Sequence, residues 1–245
     1  MTPFSSFSDL LSAYFSHTPW DEIAARIDAV SRADVDAALD ADRIDIEHLP
    51  VLLSPAAEPA LETMAQRAHA LTLARFGRTI LLYAPLYLSN YCTNRCVYCG
   101  FNAGNTVERL ALSVDDAVRE SRALHDMGFR HILLVSGEHP RYVDTDYLVA
   151  LAERLRHVFA SVCLEVQPLE VDDYARLIDA GVECVTCYQE TYNPALYPQM
   201  HPSGPKHDYT HRLFTLERAA RAGIRKVGLS PLYGLDDWRV EALCA

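Results

Sequence analysis

The sequence lacks the features typical of membrane-spanning, secreted and nucleic-acid-binding proteins. No apolar run approaches the roughly 18 residues that cross a bilayer as a helix, and the first residues have no basic segment of the kind that begins a signal peptide. No block of Lys and Arg stands out against a net charge of -11, which argues against nucleic acid or an anionic membrane as the main partner. These absences predict a cytoplasmic protein that acts on a small molecule or on another protein.

A disulfide framework is not expected either. The chain has seven cysteines, an odd number that fits poorly with complete pairing, and cytoplasmic thiols stay reduced. Three of them, Cys92, Cys96 and Cys99, lie within a stretch of eight residues, and no fourth cysteine is nearby in the sequence. Such close spacing in a reducing compartment indicates metal binding or catalysis.

The pattern of apolar residues divides the chain into two parts. Residues 1–78 have helical periodicity, and residues 79–245 alternate apolar strand-like runs with amphipathic helices. Repeated strand–helix units predict an α/β fold with a parallel sheet, and nearly all-apolar runs such as "HILLV" predict strands that are buried on both faces. We therefore expect an N-terminal helical region followed by a (β/α) barrel of the TIM type.

The barrel is expected to be incomplete. About five strand–helix units can be counted, and the sequence stops early in the fifth helix, whereas a complete barrel of this type has eight units. From the sequence we expect a chain that folds but is fragile, with little of the activity of a complete barrel.

The three clustered cysteines follow the first predicted strand, at the face that carries the active site in such barrels. Iron–sulfur clusters are usually held by four cysteines, so three thiolates would leave one iron open to a small molecule, as three protein ligands do on catalytic zinc. A zinc site that includes Cys184 and Cys187 is the alternative, but residues i and i+3 of a strand point to opposite faces. We interpret Cys163, Cys184, Cys187 and Cys244 as core or incidental thiols.

Two carboxylates are candidate ligand contacts. Along the third strand Val162 and Leu164 should face the outer helices, which turns Glu165 and, beyond it, Gln167 toward the barrel interior. A buried carboxylate is costly unless it is paired or bound to a ligand, so Glu165 is predicted to contact a ligand, with an internal arginine ion pair as the alternative. Glu138 follows the second strand at the same face, with a solvated loop acid as its alternative.

The spacing Cys-x₃-Cys-x₂-Cys after a barrel strand, with Tyr98 before the last cysteine, resembles the radical S-adenosylmethionine family. The resemblance implies that Cys92, Cys96 and Cys99 hold a [4Fe–4S] cluster. It also implies that S-adenosylmethionine binds the open iron and is cleaved reductively to a 5′-deoxyadenosyl radical, which abstracts a hydrogen atom from the substrate.

Other segments narrow the resemblance to the 2-iminoacetate synthase family of tyrosine lyases. They are "LLSPAA", "APLYLSNYC", "CVYCGF", "MGFRHILLVSGEH", "EVQPL", "YQETY" and "GIRKVGLSPLYGLDDWR". This implies that the Cα–Cβ bond of L-tyrosine is cleaved to p-cresol and 2-iminoacetate for the thiazole of thiamine. Thiazole synthase and a reduced flavodoxin or ferredoxin are the implied partners. Two alternatives stay open, a tyrosine lyase of the [FeFe]-hydrogenase maturation type and a non-catalytic, zinc-stabilised interaction protein.

The resemblance also implies roles for single residues. Residues implied to bind the cofactor are Tyr98, Gly137, Glu138, Glu165, Gln167, Gln189, Gly228 and Ser230. Tyr98 would lie near the adenine, and the Gly137–Glu138 segment would meet the methionine amino group. Glu190 and His201 are the candidate catalytic residues. His201 would contact the substrate phenol or belong to a proton path, with a surface histidine as the alternative.

Overall fold

The computed structural model describes residues 20–245, which form two compact units. Of the described residues, the first unit contains 20–80 together with 233–245, and the second contains 81–232. The boundary predicted between residues 78 and 79 stays a prediction about domain organisation. Across residues 20–245, no helix combines the length and the apolar character needed to cross a membrane.

The first unit is helical. Its first four helices are α1 (Trp20–Asp28), α2 (Arg32–Asp40), α3 (Leu49–Leu52) and α4 (Leu61–Phe76), with 3₁₀ turns at Ile46–His48 and Pro55–Ala60. Ser31 begins α2 with a capping box, because its hydroxyl accepts from the Asp34 N–H while the Asp34 carboxylate accepts from the Ser31 N–H. These caps satisfy backbone donors that the first turn of the helix leaves unpaired.

The second unit is a five-stranded parallel sheet with helices between the strands. The strands are β1 (Tyr83–Ser89), β2 (His131–Ser136), β3 (Ser161–Glu165), β4 (Val182–Thr186) and β5 (Lys226–Gly228), in the spatial order β1-β2-β3-β4-β5. The intervening helices are α5 (Val114–Asp126), α6 (Thr145–Leu155), α7 (Val171–Ala180), α8 (Tyr197–Met200), α9 (Tyr209–Leu213) and α10 (Thr215–Arg221), and α11 (Trp238–Cys244) belongs to the first unit. The predicted α/β fold with a parallel sheet is confirmed.

The sheet has one apolar face and one mixed face. Leu86, Leu134, Leu164 and Val185 are register partners across four strands, and all four are buried in the core with the helices. Side chains alternate along a strand, so Glu165, next to Leu164, lies on the other face. That other face leads to the functional site described below.

The first strand starts later than the apolar run "TILLYAPLYLS" predicts. Pairing of β1 with β2 begins at Tyr83 opposite His131, and Ile80, Leu81 and Leu82 are exposed. The residues before Tyr83 have no strand opposite them, because β2 begins at His131. A strand that finds no partner leaves its backbone groups unpaired, which explains the later start.

Candidate active site

The three clustered cysteines line one cavity at the carboxyl end of the strands. The cavity has a volume of about 230 Å³, and its lining includes Cys92, Cys96, Cys99, Glu138, Glu165 and Glu190. Cys96 is buried, and Cys92 and Cys99 are half-buried. The sheet therefore brings the cysteine loop and three separate acidic residues to one place, at the face that the sequence predicted.

Backbone hydrogen bonds hold the cysteine loop against two other segments. Thr93 donates from its N–H and from its hydroxyl to the Glu138 carbonyl, over 3.0 and 2.9 Å. The N–H of Arg95 donates to the Ser203 carbonyl over 3.0 Å, and that of Val97 to the Met200 carbonyl over 3.0 Å. The positions of the three thiols are thus set by the chain after β2 and by the chain after β4.

Two glycines permit this close packing. A β-carbon on Gly137 would lie 2.3 Å from the Tyr91 carbonyl oxygen and 3.2 Å from the Cys92 β-carbon. Gly204 has a φ of +97°, and a β-carbon there would lie 2.4 Å from the Asn94 side-chain oxygen. Only glycine fits both positions without a shift of the loop.

Two buried ion pairs flank the cavity. The Arg212 Nη1 lies 2.6 Å from the Glu138 Oε1, and the Lys206 Nζ lies 2.7 Å from the Glu190 Oε1. Asn94, in the cysteine loop, donates from Nδ2 to the Glu138 Oε2 over 2.8 Å, and its Oδ1 accepts from the Lys206 N–H over 2.8 Å. One amide side chain thereby contacts a member of each ion pair.

The conformation of Glu190 is unusual. Its φ is +72°, which makes it the one non-glycine residue with positive φ within residues 20–245. Its carbonyl accepts from the Leu232 N–H over 2.7 Å, and its carboxylate pairs with Lys206. Such a left-handed backbone is costly for a side-chain-bearing residue and occurs most often at functional sites.

Glu165 faces the cavity and has no cationic partner. Among the residues that the structure describes, 20–245, Glu165 takes part in no ion pair; Arg212, a buried arginine that lines the cavity, pairs with Glu138 instead. Burial raises the pKa of the Glu165 carboxyl, and the nearby Glu190 raises it further. The alternative of an internal arginine ion pair is therefore wrong for Glu165.

Tyr98, which lines the cavity, is hydrogen-bonded to the buried His201 behind it. The Tyr98 hydroxyl lies 2.7 Å from His201 Nε2, and His201 Nδ1 lies 2.9 Å from the Tyr197 carbonyl oxygen. Burial, with a contribution from Lys206, lowers the pKa of His201 to about 3, so the ring is neutral. Since a carbonyl can only accept, Nδ1 carries the proton and Nε2 accepts from Tyr98. His201 is completely buried, which excludes the surface alternative.

Acid is expected to destabilise the protein through His201. The unfolded chain binds a proton on this residue below a pH of about 6.5, whereas the folded chain binds it only below a pH of about 3. The contribution of His201 to the free energy of unfolding is thus complete above a pH of about 6.5 and falls by about 1.4 kcal/mol per pH unit below that pH. Urea unfolding across this range should show a shallower acid slope for His201→Gln. The variant His69→Gln, at an exposed site, should keep the wild-type slope, and equal slopes in all three proteins would contradict the assignment.

Besides His201, four of the candidate residues do not line the cysteine cavity. Gln167 lines a second cavity, of about 280 Å³, and donates to the Val143 carbonyl over 2.6 Å. Gln189 is buried and donates to the Tyr209 carbonyl over 3.3 Å. Gly228 packs against Thr186, and the Ser230 hydroxyl donates to the Pro231 carbonyl. Tyr98, Gly137, Glu138, Glu165 and Glu190 do line the cysteine cavity.

Asn94, Lys206 and Arg212 belong to the site but are not among the predicted site residues. Lys206 ends the stretch "HPSGPK", which could have drawn attention to it. No local signal marks Asn94 or Arg212, because each acts on a residue far away in the sequence.

The cysteine arrangement suits an iron–sulfur cluster. Within residues 20–245, no three His, Cys, Asp or Glu side chains could hold one metal ion together. In an iron–sulfur cluster each cysteine binds through its thiolate to the cluster, so the thiols must surround a cavity and need not meet at one point. The three thiols here share a cavity, and Lys206 opposes the rise that burial causes in the pKa of Cys96. A nearby cation favours the thiolate that iron requires.

The chain belongs to the Radical SAM superfamily, whose description matches residues 86–245. Enzymes of this family bind a [4Fe–4S] cluster and S-adenosylmethionine and require a reductant. The parallel sheet, with three cysteines after its first strand, is the arrangement that this class predicts.

Relatives within the superfamily are more specific. The chain is 48% identical to the 2-iminoacetate synthases of Escherichia coli (strain K12), over 224 residues, and of Salmonella typhimurium, over 223 residues. Each match covers 91% of this chain and 59% of the relative, so the chain spans about three fifths of their length. A crystal structure of HydG, a maturase of the [FeFe]-hydrogenase, superposes with a TM-score of 0.84 at 32% identity, covering 91% of this chain and 52% of that one.

Proposed function

We propose that this chain carries the radical-generating site of a tyrosine lyase, which cleaves the Cα–Cβ bond of L-tyrosine to 2-iminoacetate and p-cresol. The 48% identity to two 2-iminoacetate synthases supports this reaction. The observation that carries the proposal is the single cavity lined by Cys92, Cys96 and Cys99 together with acidic and basic side chains.

In the proposed enzyme Cys92, Cys96 and Cys99 hold the [4Fe–4S] cluster. When bound and reduced, the cluster supplies the electron that cleaves S-adenosylmethionine and so starts hydrogen abstraction. The chain's own residues position the reactants. Gly137 keeps the loop close, and Tyr98 lines the cavity while His201 fixes its hydroxyl.

The charged residues of the cavity suit a zwitterionic ligand. S-adenosylmethionine and tyrosine each carry an amino group and a carboxylate. We propose that Glu165, whose carboxylate has no ion pair among residues 20–245, accepts hydrogen bonds from a ligand, and that Glu138 and Glu190 contribute further. Lys206 and Arg212 offer positive charge for a carboxylate. Contacts from Gln167, Gln189, Gly228 and Ser230 to a ligand stay predictions.

The partners and location follow from the same reaction. A reduced flavodoxin or ferredoxin would supply the electron, and thiazole synthase would receive 2-iminoacetate. A cytoplasmic location suits the seven free cysteines, because that compartment keeps thiols reduced.

A second candidate is a tyrosine lyase of the hydrogenase-maturation type. The TM-score of 0.84 with HydG favours it. The higher identity to the 2-iminoacetate synthases, 48% against 32%, favours the first candidate. Release of p-cresol does not separate the two, whereas formation of cyanide or carbon monoxide would favour the maturase type.

The test is anaerobic reconstitution with iron and sulfide, followed by addition of S-adenosylmethionine, a reductant and tyrosine. We expect a brown protein with equal amounts of iron and sulfide, 5′-deoxyadenosine, p-cresol and 2-iminoacetate. Cys96→Ala should lose the colour and all products, because a cluster ligand is gone. The matched control Cys187→Ala removes an equally buried thiol outside the cavity and should retain the iron.

Two outcomes would contradict the proposal in different ways. Zinc in place of iron, or a cluster retained in Cys96→Ala, would refute the metal assignment. Cleavage of S-adenosylmethionine with no change in the amount of tyrosine would refute the substrate and leave the cluster assignment intact.

A further inference from the structure

Two cysteines outside the cluster loop lie side by side in the sheet. Cys163 of β3 and Cys184 of β4 are register partners. Neighbouring strands are about 4.7–4.9 Å apart, which falls within the Cα separation of about 4.4–6.8 Å that a disulfide requires. Register partners point to the same face, and this face is opposite to the one that buries Leu164 and Val185.

The two neighbouring thiols differ in acidity. The Cys184 thiol, together with burial, raises the pKa of Cys163. The Cys163 thiol, assisted by Thr186 and by the charge of Lys226, lowers the pKa of Cys184 to about 6. Cys184 is therefore the more acidic thiol and the one that forms a thiolate first.

Neither thiol of the pair is fully buried. Cys163 and Cys184 are both half-buried, and the Ser161 hydroxyl lies 3.7 Å from the Cys163 sulfur. By contrast, Cys187 is buried, and burial raises the pKa of the half-buried Cys244 to about 12. Reactive cysteines combine thiolate character with access from solvent, and among the thiols outside the cluster loop Cys184 has both.

We propose that Cys163 and Cys184 are an oxidation site that reacts with small peroxides and closes to an intramolecular disulfide. The sequence pattern alone favours incidental thiols at these positions. The register between β3 and β4 changes that interpretation, because it places the second sulfur where it can resolve the oxidised first one.

The reaction balances without any further reactant. The Cys184 thiolate attacks one peroxide oxygen, the O–O bond breaks, and hydroxide leaves while Cys184 becomes a sulfenic acid. The Cys163 sulfur then attacks the sulfenic sulfur, the S–S bond forms, and the hydroxyl group leaves as water with the Cys163 proton. The two thiols lose two electrons in total, and the peroxide gains them.

The disulfide would join two strands that lead directly into the active site. Glu165 follows Cys163 by two residues on β3, and Thr186 follows Cys184 by two residues on β4; both line the cysteine cavity. Because residues two apart on a strand share a face, the oxidation site and the cavity lie on the same side of the sheet.

The experiment uses the cluster-loaded protein with a small molar excess of hydrogen peroxide. Free thiols are then alkylated, and the digest is analysed by mass spectrometry. Cys184 and Cys187 share one tryptic peptide, since no Lys or Arg separates them, so the measurement is made in the Cys187→Ala background. We expect two peptides linked through Cys163 and Cys184, which dithiothreitol separates by reducing the disulfide. Without peroxide, alkylation of Cys184 should be about tenfold faster than that of Cys163.

Two single variants act as matched tests, and their urea midpoints confirm folding. Cys184→Ser should remove the link and leave Cys163 free to alkylate after peroxide. Cys163→Ser should leave Cys184 as a sulfinic acid, because no resolving thiol remains. Full alkylation of Cys184 after peroxide, or a link from Cys184 to a cluster-loop cysteine, would overturn the proposal.

Discussion

Replacing Arg212 with methionine is expected to lower the free energy of unfolding by about 3–5 kcal/mol. Arg212 is buried, and its Nη1 lies 2.6 Å from the buried Glu138 carboxylate. Its Nε also donates to the Tyr188 carbonyl over 2.8 Å. Methionine fills a similar volume but leaves the carboxylate without its counter-charge, and an unpaired buried charge is costly. Urea unfolding of the wild type and the variant measures the loss.

Two further variants distinguish this explanation from a simple packing defect. Adding Glu138→Gln to Arg212→Met removes the unpaired charge and should restore more than half of the lost stability. Arg225→Met breaks an exposed pair with Glu183 and should change stability by less than about 0.5 kcal/mol. If the double variant were no more stable than Arg212→Met, the buried charge would not be the cause.

Gly137→Ala is expected to weaken iron binding although it removes no cluster ligand. A β-carbon at this position would lie 2.3 Å from the Tyr91 carbonyl oxygen, a backbone atom, so the cysteine loop must move. The shift displaces Cys92, whose β-carbon is 3.2 Å from the same point. We expect a loss of about 1–3 kcal/mol in unfolding free energy and a several-fold lower iron content after anaerobic reconstitution.

Gly100→Ala is the matched control for that substitution. Gly100 is in the same loop, but a β-carbon there would meet nothing within 4 Å. Its iron content and stability should equal those of the wild type. Normal iron content in Gly137→Ala would show that the loop does not depend on this contact.

Much of the fold follows from local sequence patterns. Short apolar runs separated by amphipathic helices predict the five parallel strands, because each unit buries its own apolar side against the next. The pattern fails where tertiary contacts decide. The apolar pattern of residues 211–222 is that of one helix, but the structure has two, α9 and α10, with a break at Phe214. The first strand begins only where a partner strand lies beside it, and Ile80, which precedes that point, is exposed.

The site was predictable only where its chemistry is local. Cys92, Cys96 and Cys99 are close in sequence, so their spacing alone indicates a shared function. Arg212 and its partner Glu138 are 74 residues apart, and the Lys206 N–H bonds to Asn94 across 112 residues. No local pattern contains such a pair. Alternation along a strand does not predict where Gln167 lies, because β3 ends at Glu165 and the chain then turns toward the second cavity.

The double contact of Asn94 has a thermodynamic consequence. Its amide ties the cysteine loop to both buried cations, directly to the Lys206 backbone and through Glu138 to Arg212. Whatever orders the loop therefore also places the two positive charges. A metal bound to the thiols would hold both positive charges in place for an anionic group, and by reciprocity a bound anionic group would favour occupancy of the thiols by the same factor.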